Sequence, residues 1–338
     1  MENNAIIRIK KLGFPWETSD PFLFCVHHLD YYPAGNDEMG PAASLAGRNL
    51  GMDFTIKDGW RMYHGKKVPG FPTHPHRGFE TITVTLQGFI DHFDSKGATG
   101  RYGNGDVQWM TAGAGLQHAE MFPLLDKEGP NTNELFQIWL NLPKSKKHVA
   151  PYFGMLWGEE IPEFIHQDTK GKYTKVKIIA GSIENLKALP PAPDSWAANP
   201  ENEVAVWTFS MEPGAVWKLP KASDKANRSL YFYDGKELKI AGKEISINEA
   251  VWLHADMETE IENGSAKSFM LLLQGRPINE PVVQQGPFVM NSPAEIYQAY
   301  DEYQKTQFGG WPWSSFSPVH PRSVGRYSKF ADGREVVK

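Results

Sequence analysis

The 338-residue chain has a single cysteine, Cys25, so it cannot form an intrachain disulfide. A disulfide-stabilised secreted scaffold is therefore excluded, and cysteine can supply at most one thiolate to a metal site. Long apolar runs are also lacking. No window approaches the roughly 18 apolar residues of a membrane helix, and the first residues lack the apolar core of a signal peptide. These absences predict a soluble cytoplasmic protein.

Positive charge is not in excess either. The chain has 35 Lys and Arg against 40 Asp and Glu, which gives a formal net charge of -5. This mild acidity argues against a dedicated nucleic-acid surface and against a polybasic membrane anchor. From Trp311 to the end, basic residues outnumber acids, and a short solvated terminus is the simplest explanation.

Turn residues and β-formers are abundant. Thirty-one glycines and 25 prolines, with 12% aromatics, separate short runs rich in Val, Ile, Thr, Phe and Trp. That pattern is typical of an all-β sandwich or barrel. The clearest strands are predicted at residues 80–87, 106–110, 135–142, 175–180 and 203–209.

Only one helix is predicted with full end signals, and it lies near the end of the chain. Ser292 is a suitable N-cap, Pro293 suits the first turn and Glu295 completes a capping box, so we expect a helix to about Lys305. Residues 189–200, LPPAPDSWAANP, are expected to form a long surface loop.

The two halves of the chain carry similar segments. Residues 105–110 (GDVQWM) resemble residues 248–253 (NEAVWL), and the apolar run 135–143 resembles 268–277. A duplicated domain, with its break near residues 143–151, explains both similarities.

Two short pairs of potential ligands are the most informative feature. His74 and His76 lie in HPHRG, and His118 and Glu120 lie in QHAE. Because a β-strand alternates its side chains, the members of each pair leave the same face. Two such strands facing one interior would gather four ligands that suit a first-row metal and leave positions open for water or substrate.

Each pair alone has a simpler interpretation. His74 and His76 could lie in a proline-rich surface loop, and His118 could satisfy a hydrogen bond in the core. Both pairs together, in a β-rich chain, favour the metal site. Glu80, four residues beyond His76, is a second candidate for the carboxylate ligand, and alternation alone does not decide between Glu80 and Glu120.

The motifs resemble a known family. His74-x-His76-x-x-x-Glu80 followed by Gly88, and later Gly-x-Gly-x-x-His118, resembles the two motifs of the cupin superfamily. The longer runs FPTHPHRGFET (71–81), GDVQWMTAG (105–113) and NEPVVQQGPFVMN (279–291) resemble the pirin family.

The resemblance implies an all-β bicupin, with two antiparallel β-barrels of the double-stranded β-helix or jelly-roll type packed together and a short C-terminal helix. We expect a metal-binding cupin barrel over residues 1–147, a cupin barrel without metal over 148–290, and a helix and tail over 291–338. The second-half segments expected to correspond to the metal motifs, 230–235 and 250–255, contain no His-x-His and only one histidine, His254, which we expect to lie in a loop or at the edge of the core.

The resemblance also implies the ligands. His74, His76, His118 and Glu120 would bind one divalent transition metal, Fe(II) first, with Mn, Ni, Cu, Co or Zn as alternatives. Glu80 would then belong to the strand wall, where it could orient a ligand imidazole.

Two functions are implied. The first is an O2-dependent dioxygenase, an oxidoreductase that acts on a small aromatic substrate, a flavonol such as quercetin, with Glu120 as a proton acceptor. The alternative is a co-regulator without turnover, which binds a protein partner according to the metal's redox state. A structural site or the isomerisation of a sugar phosphate is a weaker option. We expect a monomer that contacts neither nucleic acid nor membrane.

Other residues give narrower predictions. His27 and His28 are adjacent, so on a strand they point to opposite faces and cannot chelate together. His92 is expected to be exposed at a hairpin, with a supporting role beside the metal ligands as the alternative. The segment of residues 31–72 is longer than the family usually shows, and it could cap the mouth of the first barrel. Four more side chains are expected to pack in the core, or alternatively to form a wall for an aromatic substrate. They are Phe79, Trp109, Met110 and Phe136.

Overall fold

Short β-branched and aromatic runs form strands throughout the computed structural model, which describes residues 5–338. The first twelve strands are β1 Ile6–Lys11, β2 Phe22–Tyr32, β3 Gly70–His76, β4 Phe79–Gln87, β5 Phe89–Asp94, β6 Thr99–Gly103, β7 Val107–Thr111, β8 Leu116–Met121, β9 Asn131–Asn141, β10 Tyr152–Leu156, β11 Glu163–Gln167 and β12 Tyr173–Ala180. The others are β13 Ser182–Ile183, β14 Leu186–Lys187, β15 Ala205–Met211, β16 Val216–Leu219, β17 Asn227–Asp234, β18 Glu237–Ile240, β19 Lys243–Ser246, β20 Glu249–His254, β21 Thr259–Asn263, β22 Ser268–Gly275, β23 Val283–Gln285, β24 Phe288–Met290, β25 Tyr327–Lys329 and β26 Glu335–Val337.

Helical structure is sparse, as the composition predicts. The α-helix α1 spans Pro293–Thr306, and short 3-10 helices span Lys144–Lys146, Trp196–Ala198, Pro200–Asn202 and Gln307–Gly309. The side chain of Ser292 accepts a hydrogen bond from the backbone N–H of Glu295, and Glu295 Oε2 accepts one from the N–H of Asn291. The predicted capping box and the predicted all-β class are therefore confirmed.

No helix within residues 5–338 is long and apolar enough to cross a membrane.

The chain divides into two compact units. One, which we call the histidine unit, comprises Val26–Gly158 and Glu280–Lys338, and the second unit comprises the described residues 5–25 together with Glu159–Asn279. The domain bounds expected from the sequence, at residues 147 and 290, stay a prediction about folding domains.

The histidine unit has two main antiparallel sheets. Their strand orders are β10-β7-β4-β9-β2 and β26-β25-β6-β5-β8-β3. Strand β4 shows how they face each other, because the hydroxyl of Thr83 lies 3.0 Å from Oε1 of Glu120 on β8. Alternate side chains of the two sheets therefore meet in a shared interior.

The second unit also has two main sheets. The larger has the order β1-β20-β17-β22-β15-β12-β11, and the smaller has the order β16-β21-β18-β19. Its interior is a continuous apolar core that includes Trp207, Trp217, Leu230, Phe232 and Ile261. Burial of these side chains supplies the main driving force for folding of this unit.

The two units repeat one strand order. The run β7-β4-β9-β2 of the histidine unit corresponds to β20-β17-β22-β15, and β6-β5-β8-β3 corresponds to β19-β18-β21-β16. Each strand from β2 to β9 thus has a counterpart from β15 to β22 in the same sequence order. This repeat agrees with the duplication expected from the sequence.

The terminus is not the solvated tail that its basic residues suggested. Strand β25 pairs with β6 and β26 pairs with β25, so the tail extends one sheet of the histidine unit. Arg101 of β6 is completely buried, donates to both carboxylate oxygens of Asp91, and also donates to the carbonyls of His320 and Val324. The tail is therefore fixed by a buried ion pair as well as by strand pairing.

Candidate metal centre

The two predicted histidine strands are neighbours in one sheet. Strands β3 and β8 pair antiparallel, with His74 directly opposite His118 and His76 opposite Leu116. The ring centroid of His74 lies 4.4 Å from that of His118 and 4.8 Å from that of His76. The centroids of His76 and His118 lie 5.0 Å apart. One potential ligand atom from each of the three histidines lies within 4.8 Å of the others. The spacing of the motifs therefore brings the three imidazoles together.

A β-bulge in β3 shapes this side of the site. The register shifts between Phe71, which pairs with Glu120, and His74, which pairs with His118, so β3 has one residue more than β8 there. Pro72 lies in the bulge, where its missing N–H breaks no ladder hydrogen bond. Its carbonyl accepts a hydrogen bond from Nδ1 of His74 at 2.9 Å. This bond fixes the tautomer and leaves Nε2 of His74 free to bind a metal.

The late motif of residues 279–291 contacts the second histidine. The carbonyl of Pro287 lies 3.4 Å from Nδ1 of His76, which again leaves Nε2 as the candidate ligand atom. The backbones of Arg77 and Phe288 form a bridge, and a Cβ on Gly78 would lie 2.0 Å from the carbonyl oxygen of Val289. Glycine at this position therefore allows the late segment to approach the HPHRG strand.

Within residues 5–338, the ring of His118 has no hydrogen-bond partner. It is completely buried, and within residues 5–338 neither of its ring nitrogens makes a hydrogen bond. Burial lowers the pKa of His74 to about 4 and holds the pKa values of His76 and His118 well below their usual range. All three imidazoles are therefore neutral near pH 7, which is the form that can bind a metal.

Glu120 is buried beside His118. Its Oε2 lies 3.7 Å from Nε2 of His118 and accepts a hydrogen bond from Nε2 of Gln137 at 3.2 Å. Its Oε1 lies 3.0 Å from the hydroxyl of Thr83. Burial raises the pKa of this carboxyl, and its hydrogen-bond partners Thr83, Gln137 and Tyr102 are neutral. A cation within reach of Glu120 and His118 would stabilise the carboxylate.

Glu80, the alternative carboxylate, points the other way. The pairing of β4 with β9 is regular from Phe79 to Thr85, so Glu80 and Thr83 leave opposite faces of β4. Thr83 faces Glu120, whereas Glu80 Oε1 accepts a hydrogen bond from the hydroxyl of Thr111 at 2.7 Å. The geometry favours Glu120 as the carboxylate nearest the histidines.

The second unit carries apolar residues at the positions equivalent to the three histidines. With the similar tryptophans Trp109 and Trp252 aligned, His118 corresponds to Ile261, and the partner of Ile261 on β16 is Trp217. The same register places Leu219 where His76 stands. None of these side chains binds metals. The counterparts of the histidine strands β3 and β8 are thus β16 and β21, and not the segments 230–235 and 250–255 expected from the sequence.

Comparisons with known proteins agree with this geometry. Residues 36–140 match the pirin family model, and residues 206–309 match the model of the pirin C-terminal cupin domain. A pirin-like protein of Solanum lycopersicum is 36% identical over 238 residues, which are 70% of this chain and 75% of that protein. The chain belongs to the pirin family. The predicted family and the predicted cupin fold of both halves are therefore confirmed.

Other relatives carry an enzyme name. A Pseudomonas aeruginosa protein named "putative quercetin 2,3-dioxygenase" is 35% identical over 243 residues, which are 71% of this chain and 79% of that protein. The crystal structure of quercetin 2,3-dioxygenase from Acinetobacter baumannii superposes with a TM-score of 0.70 at 24% identity, and covers 90% of this chain and 98% of that one. That structural likeness shows the bicupin fold of this pirin-family chain.

The position of His92 in this pirin-family chain differs from the exposed one that the sequence predicted. It lies on β5 directly opposite Glu120, is completely buried, and stacks on Phe153 at 4.8 Å. Its ring centroid lies 5.6 Å from that of His118. The expected exposed hairpin histidine is thus an inner-wall histidine. The apolar neighbours in IDHFD gave a signal of a buried strand that could have identified it.

The four residues predicted to form either core or a substrate wall lie on two different faces of their sheet. Phe79 lies 5.1 Å from the ring of His76, and Trp139, which the sequence did not single out, lies 5.4 Å from it. Met110 is opposite Thr81 and shares the Thr83 face. Trp109 and Phe136 are opposite Ile82 and Val84, so they lie on the other face and are core residues.

The adjacent histidines His27 and His28 take separate roles, as alternation predicts. Nε2 of His27 lies 2.9 Å from a carboxylate oxygen of Glu134, whereas Nδ1 of His28 lies 2.8 Å from the hydroxyl of Tyr63. That hydroxyl donates to Asp30, so it accepts from His28. In the second unit, His254 is an exposed residue at the end of β20, as expected.

Two segments flank the exposed side of His74. Within residues 31–72, the rings of Phe54 and His64 lie near Phe71, whose own ring is 6.3 Å from that of His74. From the tail, the carbonyl of Phe316 accepts hydrogen bonds from both the backbone N–H and the hydroxyl of Thr73. The sequence indicated the first segment as a possible cap but gave no sign of the second.

Proposed function

We propose that this protein binds one divalent transition metal through His74, His76, His118 and Glu120 and acts as an O2-dependent dioxygenase on a flavonol such as quercetin. The observation that carries the proposal is the convergence of three neutral imidazoles, of which His118 has no hydrogen-bond partner within residues 5–338. The enzyme name of the Pseudomonas aeruginosa relative supports the reaction class.

The donor set fits a first-row metal. Imidazole nitrogens and a carboxylate suit Fe(II), which we propose as the native ion, and they also suit Mn, Ni, Cu, Co and Zn. When bound, the ion would act as a Lewis acid and bring the substrate oxygen and O2 to one centre. The carbonyls of Pro72 and Pro287 hold the rings of His74 and His76 so that their Nε2 atoms face this centre.

The surrounding side chains suit a flat aromatic substrate that must lose a proton. Glu120 is buried and can accept a proton, since burial raises its pKa and its contacts with Thr83 and Gln137 carry no positive charge. Phe79 and Trp139 supply an apolar aromatic surface within ring-contact distance of His76. His74 is the least buried of the three histidines, so a substrate would approach the site from its side.

One experimental series tests this proposal. Protein purified without added metal is analysed for its elements, titrated with quercetin without oxygen, and then exposed to O2. We expect about one equivalent of metal, a change in the quercetin spectrum before oxygen, and turnover after it. Chelation of the metal should abolish the last two. Full activity of metal-free protein would contradict the proposal.

A second candidate function has its own observation. Leu50, Met52, Phe54 and Ile56 are between 38% and 59% exposed, and Phe54 contacts the aromatic residues beside His74. An apolar surface next to a redox-active metal would suit a cytoplasmic, monomeric co-regulator that binds a protein partner in one oxidation state. Pull-down with matched ferrous and ferric protein tests this function. Equal partner binding by both forms would argue against it.

A further inference from the structure

The second unit contains a cavity of about 430 Å³ at one end of its interior. Its walls are largely apolar, with Leu189, Pro190, Val204, Ala205 and Trp207 among the lining residues. The loop 189–200 forms one side and is fixed in place. The indole N–H of Trp196 donates to the carbonyl of Arg276, and Asn202 donates to the carbonyl of Trp196. These hydrogen bonds therefore hold the loop in a defined position as one wall of the cavity.

A buried arginine faces this cavity. Arg228 lies two residues before Leu230 and four before Phe232, which are core residues, so all three share the interior face of β17. Arg228 is only 2% exposed and lines the cavity together with Gln274. Its Nε donates to Oε1 of Gln274 at 2.7 Å, but its Nη1 is buried without a hydrogen-bond partner within residues 5–338.

The strand repeat shows that this cavity of the second unit lies at the position that corresponds to the candidate metal centre of the histidine unit. Arg228 pairs with Leu253 and Gln274, as Thr81 of the histidine unit pairs with Met110 and Trp139. Trp139 is one of the residues beside His76. Where the histidine unit holds its candidate metal centre, the second unit thus holds a cationic cavity over an apolar floor.

The charge of Arg228 is not neutralised by a direct partner. The one acidic side chain that lines the cavity is Glu203, whose carboxylate accepts hydrogen bonds from the backbone N–H and hydroxyl of Ser223 and from Nε of Arg276. Lys187 and Lys221 also line the cavity, so its three cations exceed its single acid. A buried guanidinium group with an unused donor is costly unless an anion completes it.

We propose that the second unit binds a small organic carboxylate with a compact apolar body, whose carboxylate group pairs with Arg228. The planar guanidinium matches a carboxylate, and the Pro, Ala and Trp207 walls suit an aromatic or aliphatic body. A phosphate dianion fits less well, because one buried cation and apolar walls supply too few donors. The site is independent of the metal centre and of the function proposed for it.

Benzoate is a suitable probe, with its uncharged isostere benzamide and inorganic phosphate as comparisons. The full-length protein is titrated with each by calorimetry, and its Tm is followed at increasing ligand concentration. We expect one benzoate per chain, weaker binding of benzamide and no binding of phosphate. Arg228→Met should weaken benzoate at least about tenfold, because a charge-assisted hydrogen-bonded pair is lost. Lys175→Met, at an exposed position of β12 outside the cavity lining, is the matched control and should leave the affinity unchanged.

Stability separates a binding role from a structural one. If Arg228 serves a ligand, Arg228→Met should have a Tm at least equal to that of the wild type without benzoate and should lose the benzoate-dependent rise in Tm. Absence of benzoate binding by the wild type would overturn the proposal. So would benzoate binding that survives Arg228→Met but disappears when the metal is removed, because benzoate would then occupy the histidine unit.

Discussion

His74 and His118 are cross-strand partners, directly opposite each other in β3 and β8 with ring centroids 4.4 Å apart. Directly opposed side chains in an antiparallel pair are held close by the strand backbones themselves. The pairing therefore holds two neutral imidazoles together before any ion is bound, and His76 adds the third from the same strand.

Removal of one histidine should abolish metal binding. Loss of residues that only support ligands commonly costs 10- to 100-fold in metal affinity, so His118→Ala should lower it by more than about 100-fold. Elemental analysis after dialysis should then find almost no metal. His254→Ala, at an exposed position of the second unit, is the control and should keep its full metal content. Equal metal loss in both variants would point to unfolding, which circular dichroism detects.

The two carboxylates give opposite expectations. Glu120→Gln should weaken metal binding at least about tenfold, because the charged oxygen ligand near His118 is replaced by a neutral amide. Glu80→Ala should leave the metal content unchanged but destabilise the fold by about 1–3 kcal/mol, since the buried hydroxyl of Thr111 loses its acceptor. Metal titration and urea unfolding of both variants measure this difference. Metal loss only in the Glu80 variant would reverse our assignment.

The stability of the metal-free protein should fall in acid, in part through His28. Burial lowers the pKa of His28 to about 3, whereas in the unfolded chain a histidine titrates near 6.5. The unfolded state therefore binds the extra proton first as the pH falls below about 6.5, and stability declines by up to about 1.4 kcal/mol per pH unit until the folded pKa is reached.

His28→Gln should remove that contribution. Urea unfolding between pH 7 and pH 4 should show a slope smaller by about 1.4 kcal/mol per pH unit in the variant than in the wild type. The exposed His254→Gln should leave the slope as it is. Identical slopes for wild type and His28→Gln would mean that His28 is protonated in the folded protein.

The ion pair under the tail should be a major source of stability. Arg101 and Asp91 are both fully buried, so Arg101→Met leaves an unpaired buried carboxylate and should cost about 3–5 kcal/mol. Limited proteolysis should then cleave the segment after Trp313 faster. Lys329→Met, which removes an exposed pair with Glu335, should change stability by less than about 1 kcal/mol. A small effect of Arg101→Met would show that strand pairing alone fixes the tail.

Local patterns were sufficient for several features. Alternation in ETITVTLQ predicted β4, the Ser292 to Glu295 capping box predicted α1, and the two-residue spacings predicted which histidines share a face. Each depends on neighbours within a few residues, whose geometry is fixed by the backbone.

Other features depended on pairing between distant segments. His92 is buried because β5 lies between β6 and β8, and the tail is ordered because β25 pairs with β6. The contact that distinguishes Glu120 from Glu80 is the hydrogen bond between Thr83 and Glu120, which joins strands of two different sheets. Sequence periodicity gives the faces of a strand relative to one another, but not which of them turns toward the site.

The bond between His76 and the carbonyl of Pro287 also sets an order of events during synthesis. A ribosome completes β3 and β8 long before residue 287, and the whole run Glu159–Asn279 of the second unit is made in between. A nascent chain can therefore pair His74 with His118 early, while the backbone partner of His76 arrives only near the end. A metal captured before release would meet an imidazole that is still free to rotate, so the proposed ligand geometry would be complete only in the finished chain.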